Sequence, residues 1–398
     1  MNNRFSKTIN NPAASSGGIA STLLTNPSQT IKIGGFGHIK AVHVGGSSPV
    51  AVQTMWKDRL SFADINGPAV TGKINALGDM GCAVIRFAVP NVETAEVLGQ
   101  LAAMVCMPLV ADIHFDYKIA LRCLDFPIAK LRINPGNIGG RENVRLVLEK
   151  AAKKDIPIRI GINAGSLPQD IQKQVDQGLA LPEAMALAAQ REIAFFDEFG
   201  FTSFLISVKA AGIADTIKAN RLVAQMCDAP LHVGVTEAGP LAAGVARSTA
   251  ALLPLLVEGI GDTVRVSLSD TMENEIIAGR EILKAAAEIA GQEKGSAACV
   301  QRLVYKGVNI VSCPRCGRYG FDTHGFTSRW MPRLYAMDKD ITVAAMGCEV
   351  NGPQEAKHAD LGITGAGDKV LIFRHGKVIK AVTAELADKA FEEELEKL

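Results

Sequence analysis

Between residues 31 and 291 the chain repeats one pattern eight times: a short run of β-branched and aliphatic residues, usually followed by a longer stretch with helical spacing. The runs fall at residues 50–55, 83–88, 109–114, 130–134, 156–163, 203–209, 231–237 and 263–267. Helical stretches stand out at 91–105, 141–153, 182–198 and 273–290. Parallel strands need crossover connections and helices to cover them, so this alternation argues for a parallel sheet in an α/β fold. Eight repeats match the ~250 residues of a (β/α)8 TIM-type barrel. A doubly wound open sheet is the competing arrangement.

The strand interiors separate the two. Side chains alternate faces along a strand. In Lys130-Leu-Arg132-Ile-Asn134 one face carries Lys, Arg and Asn while the other carries Leu and Ile. The split recurs in Arg159-Ile-Gly161-Ile-Asn163 and in Val110-Ala-Asp112-Ile-His114. An open sheet covered on both faces reads as nearly continuous hydrophobics. The aliphatic face therefore belongs under a helical layer and the polar face inside a barrel, with polar groups gathering at the C-terminal strand ends where barrels place their active sites.

That mouth is cationic. Arg86, Arg132, Arg159 and Lys209 come from four strands and Arg265 from a fifth. Formal net charge is only +1, so no global field recruits nucleic acid or a membrane surface. A local cluster of this kind needs an anion, and guanidinium forks suit the oxygens of a diphosphate better than a single carboxylate. Asn134 and Asn163 are placed to orient a polar ligand, and Gln53, Asp112 and His114 sit at further strand ends. Glu237 is a carboxylate in basic surroundings, readable as a general acid or base or as the partner of an Arg.

A polar segment at 292–298 separates this region from a small α+β domain over 299–398. Predicted strands at 304–311 and 341–346 run into Cys313-Pro-Arg-Cys316 and Cys348, followed by a hairpin at 370–381 and an amphipathic helix at 384–398. Cys82, Cys106, Cys123, Cys227 and Cys299 stand alone and read as small hydrophobes. The clustered thiols read as metal-binding in a reducing compartment. Their spacing admits zinc as well as an iron–sulfur cluster. Zinc ribbons supply a second paired ligand set, whereas the fourth candidate here is Glu355, with His324 and His358 as alternatives. No apolar run approaches the ~20 residues of a membrane span. Residues 1–30 lack the apolar centre of a secretory signal and read as a flexible tail, so a cytoplasmic location is expected.

Taken together, these residues resemble the 4-hydroxy-3-methylbut-2-enyl diphosphate synthases of the methylerythritol phosphate route to isoprenoids, in the bacterial two-domain form. The resemblance is carried by Pro49-Val-Ala-Val-Gln53, Val84-Ile-Arg86-Phe-Ala-Val-Pro90, Leu109-Val-Ala-Asp112-Ile-His114, Arg132-Ile-Asn134-Pro-Gly-Asn137, Ile158-Arg159-Ile-Gly-Ile-Asn163, Ser207-Val-Lys209-Ala, Val235-Thr-Glu237-Ala-Gly, Cys313-Pro-Arg-Cys316-Gly-Arg and Met346-Gly-Cys348-Glu-Val-Asn-Gly-Pro-Gln-Glu355. These segments run collinearly over about residues 30–380.

The resemblance implies a barrel over 31–291 that binds substrate, joined to a sulfite-reductase-like domain carrying a 4Fe–4S cluster. Cys313, Cys316, Cys348 and Glu355 match the family's cluster ligands. Arg86, Arg132, Arg159 and Lys209 match positions that grip a diphosphate, Asn134 and Asn163 match substrate contacts, and Glu237 matches the proton donor. The implied substrate is 2-C-methyl-D-erythritol 2,4-cyclodiphosphate, reductively dehydroxylated with electrons from ferredoxin or flavodoxin. A homodimer is implied, the cluster domain of one subunit capping the barrel of its partner. The competing function, an iron–sulfur redox sensor with a barrel as binding module, would have no use for an aligned acid such as Glu237. The chain departs from the family pattern in three places: Trp56-Lys-Asp-Arg59 stands where small polar residues are usual, Glu349 where an apolar residue is common, and Gln354 where Gly is common.

Overall fold

The computed structural model describes residues 28–292, 297–303, 307–314, 316–349 and 352–398. The tail expected over 1–30 lies outside them except for its last three residues. The chain divides between Tyr305 and Lys306 into two compact units. The helix Ala297–Leu303 groups with the first, which puts the division after that helix rather than in the polar segment before it.

In the first unit β1 (Ile31–Gly34) and β2 (Ala41–Val44) form an antiparallel hairpin that lay outside the eightfold pattern. The repeats then supply β3 (Ala51–Met55), β4 (Val84–Ala88), β5 (Leu109–Ile113), β6 (Lys130–Ile133), β7 (Ile158–Asn163), β8 (Phe204–Lys209), β9 (His232–Val233) and β10 (Thr263–Val264). Their order is β8-β7-β6-β5-β4-β3-β10-β9, all parallel, and the Ile206–Leu231 bridge joins the two ends of the series. All eight expected strands are therefore present, arranged as a barrel.

The last two strands are shorter than their sequence runs, and Gly234 shows why. A Cβ there would lie 2.5 Å from the Arg265 carbonyl oxygen and 2.8 Å from Lys209 Nζ. The chain leaves regular pairing where backbone and a buried side chain crowd against it.

Alternation sorts the strand residues as expected. Val52 packs under the helix Met272–Gln292, where a Cβ on Gly279 would sit 3.1 Å away, and Thr54 Oγ1 donates to Glu275 Oε2 of that helix at 2.7 Å. Ala51, Gln53 and Met55 consequently point inward. At the N-terminal end of the barrel, Ala51, Val84, Val110 and Leu205 pack against Ile31, Ile33, Ile39 and Val44. The hairpin thus plugs the barrel floor with aliphatic side chains, each contributing about 1.5–3 kcal/mol when fully buried. The interior further along the strands is polar.

Helix boundaries follow local chemistry. Asn91 caps Val92–Met104 by accepting from the Thr94 amide, and Asp116 caps Tyr117–Cys123 by accepting from Lys118. Leu181–Phe199 stops at Gly200, whose φ of +78° suits a left-handed cap. The unusual Trp56 is absorbed by packing. It is 6% exposed and stacks on Phe87 at 5.4 Å between ring centroids.

The second unit is a five-stranded mixed sheet ordered β11 (Asn309–Ser312), β12 (Thr342–Met346), β13 (Leu361–Ala366), β14 (Lys369–Arg374) and β15 (Lys377–Val382). The first three are parallel and the last two run antiparallel to their neighbours. The predicted hairpin is β14–β15, turned by His375 at φ +46° and Gly376 at φ +77°. Strand β13 and the helix Thr323–Tyr335 were not expected. That helix brings Phe326 and Trp330 against Phe391 of the terminal helix Ala387–Leu395, over Val343, Ile363 and Ile372 of the sheet. Of the strand expected at 304–311, residues 304–306 lie outside the described ones.

Candidate active site

Arg86, Lys130, Arg132, Arg159, Lys209 and Arg265 all reach into the barrel interior. Lys130, Arg132, Arg159 and Lys209 are 0–6% exposed, and Arg86 and Arg265 have side chains 12% and 13% exposed. Two buried carboxylates face this group. Asp112 takes Arg132 Nη1 at 3.0 Å and Arg86 Nε at 3.4 Å. Glu275 takes Arg265 at 3.2 Å and also accepts from Thr54, from the Leu268 amide and from Lys57. Six cations against two carboxylates leave a marked positive excess.

Lys130 Nζ and the Nε and Nη1 of Arg159 are buried with no hydrogen-bond partner among the described residues. So are both amide atoms of Gln53. An unpaired buried charge costs several kcal/mol, so a fold that retains such groups is set up for an anion that satisfies them.

The electrostatics agree. Burial pushes Arg86 down to about 10, with Arg265 and Arg132 adding to the shift and Asp112 opposing it. Lys130, Arg159 and Lys209 are driven well below their ordinary values, first by burial and then by neighbouring guanidinium groups, Arg159 and Arg86 acting on both lysines and Arg86, Arg132 and Arg265 on Arg159. Burial opposes ionisation of Asp112, but Arg86 and then the His114 hydrogen bond and Arg132 outweigh it, holding the carboxyl well below the usual range. An anion bound here favours the charged form of each of these groups.

The remaining barrel candidates lie at strand ends and in the loops that follow. Asn134, 6% exposed, donates to Ser166 Oγ at 3.2 Å and accepts from the Gly136 amide. Asn163 ends β7 in register with Lys209 of β8. Glu237 is exposed on the loop after β9. That loop is tied on both sides: Thr236 N donates to Ala210 O, and Gly239 bridges to Leu268. Glu237 itself adopts φ +54°. Among the described residues only Asp155 and His375 share this trait outside glycine, and they sit just past a helix end and in a hairpin turn. Left-handed backbone in a non-glycine residue costs about 1–2 kcal/mol, a strain that tends to be kept where it aims a functional side chain.

The thiols are positioned by two adjacent parallel strands. Cys313 follows β11 and its amide donates to Ala345 O of β12, while Cys348 lies two residues past the end of β12. The loop carrying Cys316 folds back to the same strand end, Gly320 N donating to Gly347 O at 2.7 Å. Cys316 is exposed and Cys313 and Cys348 are half-buried, all with free thiols. The Gly347 amide donates to Cys313 Sγ at 2.9 Å, and a Cβ on Gly347 would lie 3.2 Å from that sulfur. Amide donors and open space beside sulfur suit a thiolate cluster. Glu355 closes the short helix Gly352–Glu355, whose first amide donates to Cys348 O. No three His, Cys, Asp or Glu side chains converge as around one metal ion among the described residues. Three thiols and a carboxylate at the ends of neighbouring strands, with an amide already donating to one sulfur, are a donor set that suits an iron–sulfur cluster. His324 and His358 are both exposed.

Sequence reasoning did not name three groups as members of this charged cluster: Lys130, which it placed on the inward face without counting it among the mouth cations, His232 and Glu275. Lys130 and His232 carried a signal, since both lie on the inward parity of their strands. Glu275 carried none, because it reaches from a helix across to Thr54, far away in sequence, as well as back to Arg265.

Residues 36–280 match the GcpE TIM-barrel domain and residues 309–397 the GcpE protein C-terminal domain. A 4-hydroxy-3-methylbut-2-en-1-yl diphosphate synthase (flavodoxin) of Treponema pallidum is 48% identical over 93% of this chain and 92% of its own. Proteins of the same name from Treponema denticola and Geobacter sulfurreducens are 46% and 42% identical, covering 93% and 90% of this chain and 98% and 95% of theirs. A cationic barrel and a thiol-bearing sheet, each matched by its own half of one family across nearly the whole length, make this chain a member of the GcpE family.

Proposed function

We infer that the protein is a 4-hydroxy-3-methylbut-2-enyl diphosphate synthase, converting 2-C-methyl-D-erythritol 2,4-cyclodiphosphate by reductive dehydroxylation and ring opening. The observation that carries the substrate reading is the buried, under-compensated cation cluster at Arg86, Lys130, Arg132, Arg159 and Lys209. The reaction consumes two electrons and one proton and releases water, the hydroxyl leaving with that proton. Breaking the ring carbon–oxygen bond leaves an extra oxyanion on the diphosphate, so negative charge grows where these cations already lie. Charges fixed in place before reaction cost no reorganisation when the oxyanion forms.

In this reading Arg86, Arg132, Arg159 and Lys209 grip the diphosphate, and Asn134 and Asn163 orient the carbon skeleton. Glu237, aimed by its strained backbone, donates the proton to the departing hydroxyl. The hairpin floor excludes water from the closed end of the barrel. Cys313, Cys316, Cys348 and Glu355 would hold a 4Fe–4S cluster, which supplies single-electron transfer when bound. The barrel over 31–291 would bind substrate and the domain over 299–398 would carry the cluster. The names of the relatives support flavodoxin as electron donor. No helix among the described residues is long and apolar enough to cross a membrane. We place the enzyme in the cytoplasm as a homodimer, which sedimentation would check.

The test is anaerobic incubation of cluster-loaded protein with the cyclic diphosphate and reduced flavodoxin. The expected product is the linear diphosphate, with one water released per turnover. A protein that holds the cluster but leaves the substrate intact while its spectrum answers to redox state would favour the sensor reading.

A further inference from the structure

Lys209 is held by a row of side chains that the reading above does not use. Its Nζ lies 3.0 Å from His232 Nε2, and His232 Nδ1 lies 2.7 Å from Thr263 Oγ1. The three come from consecutive strands β8, β9 and β10, and His232 and Thr263 are register partners. His232 and Thr263 are fully buried and Lys209 nearly so. A Cβ on Gly234 would sit 2.8 Å from Lys209 Nζ, so the ammonium is packed between a bare backbone and the imidazole.

The partners decide the proton positions. An ammonium has only donors, so His232 Nε2 must present its lone pair, and the ring hydrogen then sits on Nδ1, donated to Thr263 Oγ1. Burial, followed by Lys209, Arg159, Lys130 and Arg86, drives His232 far from its charged form. Lys209 for its part faces Arg86, Arg132, Arg159 and Arg265 from the other strands, with Lys130 nearby through His232. The two carboxylates of the interior are engaged elsewhere, Asp112 with Arg86 and Arg132, Glu275 with Arg265. The imidazole lone pair is thus the electrostatically favourable contact Lys209 has before an anion arrives.

We propose that His232 is a positioning residue for diphosphate capture: a neutral acceptor, locked in one tautomer by Thr263, that holds the Lys209 ammonium so its remaining N–H bonds meet the phosphate oxygens. The inference rests on the reading of the barrel as the diphosphate site. A hydrogen bond accepted from the charged form favours that form, so His232 also keeps Lys209 protonated to higher pH than its cationic surroundings would allow.

The test uses the full chain, with inorganic diphosphate as calorimetric probe and the cyclic diphosphate for kinetics. His232→Leu is expected to raise KM and the diphosphate Kd by about 10–100-fold, the equivalent of one charge-assisted hydrogen bond, with kcat changed far less. His232→Gln, whose Oε1 can accept from the same ammonium, should recover most of the loss, and Thr263→Val should fall between. Binding requires charged Lys209, so affinity is present below its pKa and lost above it. Removing the acceptor lowers that pKa, and the alkaline loss of affinity should begin at lower pH in His232→Leu. A merely structural His232 would reduce thermal stability and the active fraction but leave KM and the pH limb of the surviving enzyme unmoved, with His232→Gln as damaging as His232→Leu. That result overturns the inference. Should His232→Leu fail to fold, Thr263→Val decides: unchanged KM and an unmoved alkaline limb overturn it. Wild-type protein that does not bind diphosphate removes both this inference and the substrate reading. Wild-type binding with no effect of the variants removes the inference alone.

Discussion

The barrel interior and the thiol-bearing strand ends solve opposite problems. The barrel buries its charged side chains, with Arg159 and Lys130 fully enclosed and, among the described residues, two buried carboxylates set against six cations. The thiols are exposed or half-buried on loops beyond β11 and β12, held among the described residues by the Gly347 amide and a few backbone bonds. An anion brings no covalent bonds of its own, so its receptor must be preformed and the fold carries the cost of like charges held together. A cluster forms bonds to its ligands, and those bonds can organise loops that protein contacts leave loose. Preformed sites reveal themselves by unpaired buried groups, and cluster sites by donor chemistry and spacing.

Breaking the thiol side should have the largest effect. Cys348→Ala is expected to abolish cluster content and turnover while leaving the barrel able to bind diphosphate, read by iron and sulfide analysis and by calorimetry. Glu355→Ala should be less severe for the cluster, retaining part of it, yet lose most turnover. Wild-type turnover in that variant would remove Glu355 from the site.

The barrel side separates stability from binding. Asp112→Asn strips the carboxylate that Arg86 and Arg132 share and should destabilise the fold by about 3–5 kcal/mol, measured by denaturant unfolding. The depressed pKa of Asp112 gives the sign of the acid response. Its contribution is present above the ordinary carboxylate pKa of about 3.9 and lost as pH falls below that toward its native value, so the variant should show a flatter stability profile in acid. Arg159→Met should behave oppositely. Removing an unpaired buried charge should leave the anion-free protein as stable as wild type or more so, while diphosphate affinity falls by about 1.5–3 kcal/mol. Destabilisation of the Arg159→Met protein would mean that the guanidinium has a structural partner. The smallest effect belongs to the surface: Lys218→Ala, which breaks a pair with Glu183 on the outer helices, should shift stability by no more than about 0.2–1 kcal/mol.

The sequence disclosed much of this contrast, for reasons that differ between the two regions. Strand parity is a local signal, so Lys130, Arg132 and Asn134 on one face against Leu131 and Ile133 on the other identified the interior of the barrel. The thiol spacing was equally local. What stayed hidden depends on tertiary contact: the hairpin Ile31–Val44 as a floor, Glu275 as the partner of Arg265, and β13 slipped between β12 and β14. The departure at Trp56-Lys-Asp-Arg59 also became intelligible only in three dimensions, where Trp56 stacks on Phe87 and Lys57 joins the Glu275 hub. Glu237 was legible as a candidate from its residue type and position, but not its left-handed backbone.

The most direct test of the central claim is a calorimetric titration of the cyclic diphosphate into full-length protein prepared without its cluster. A receptor built by the barrel alone should bind the ligand in that state, and binding should vanish in an Arg159→Met, Lys209→Met double variant. Absence of binding until the cluster is restored would contradict the account, placing substrate capture with the thiol-bearing unit instead of the buried cations.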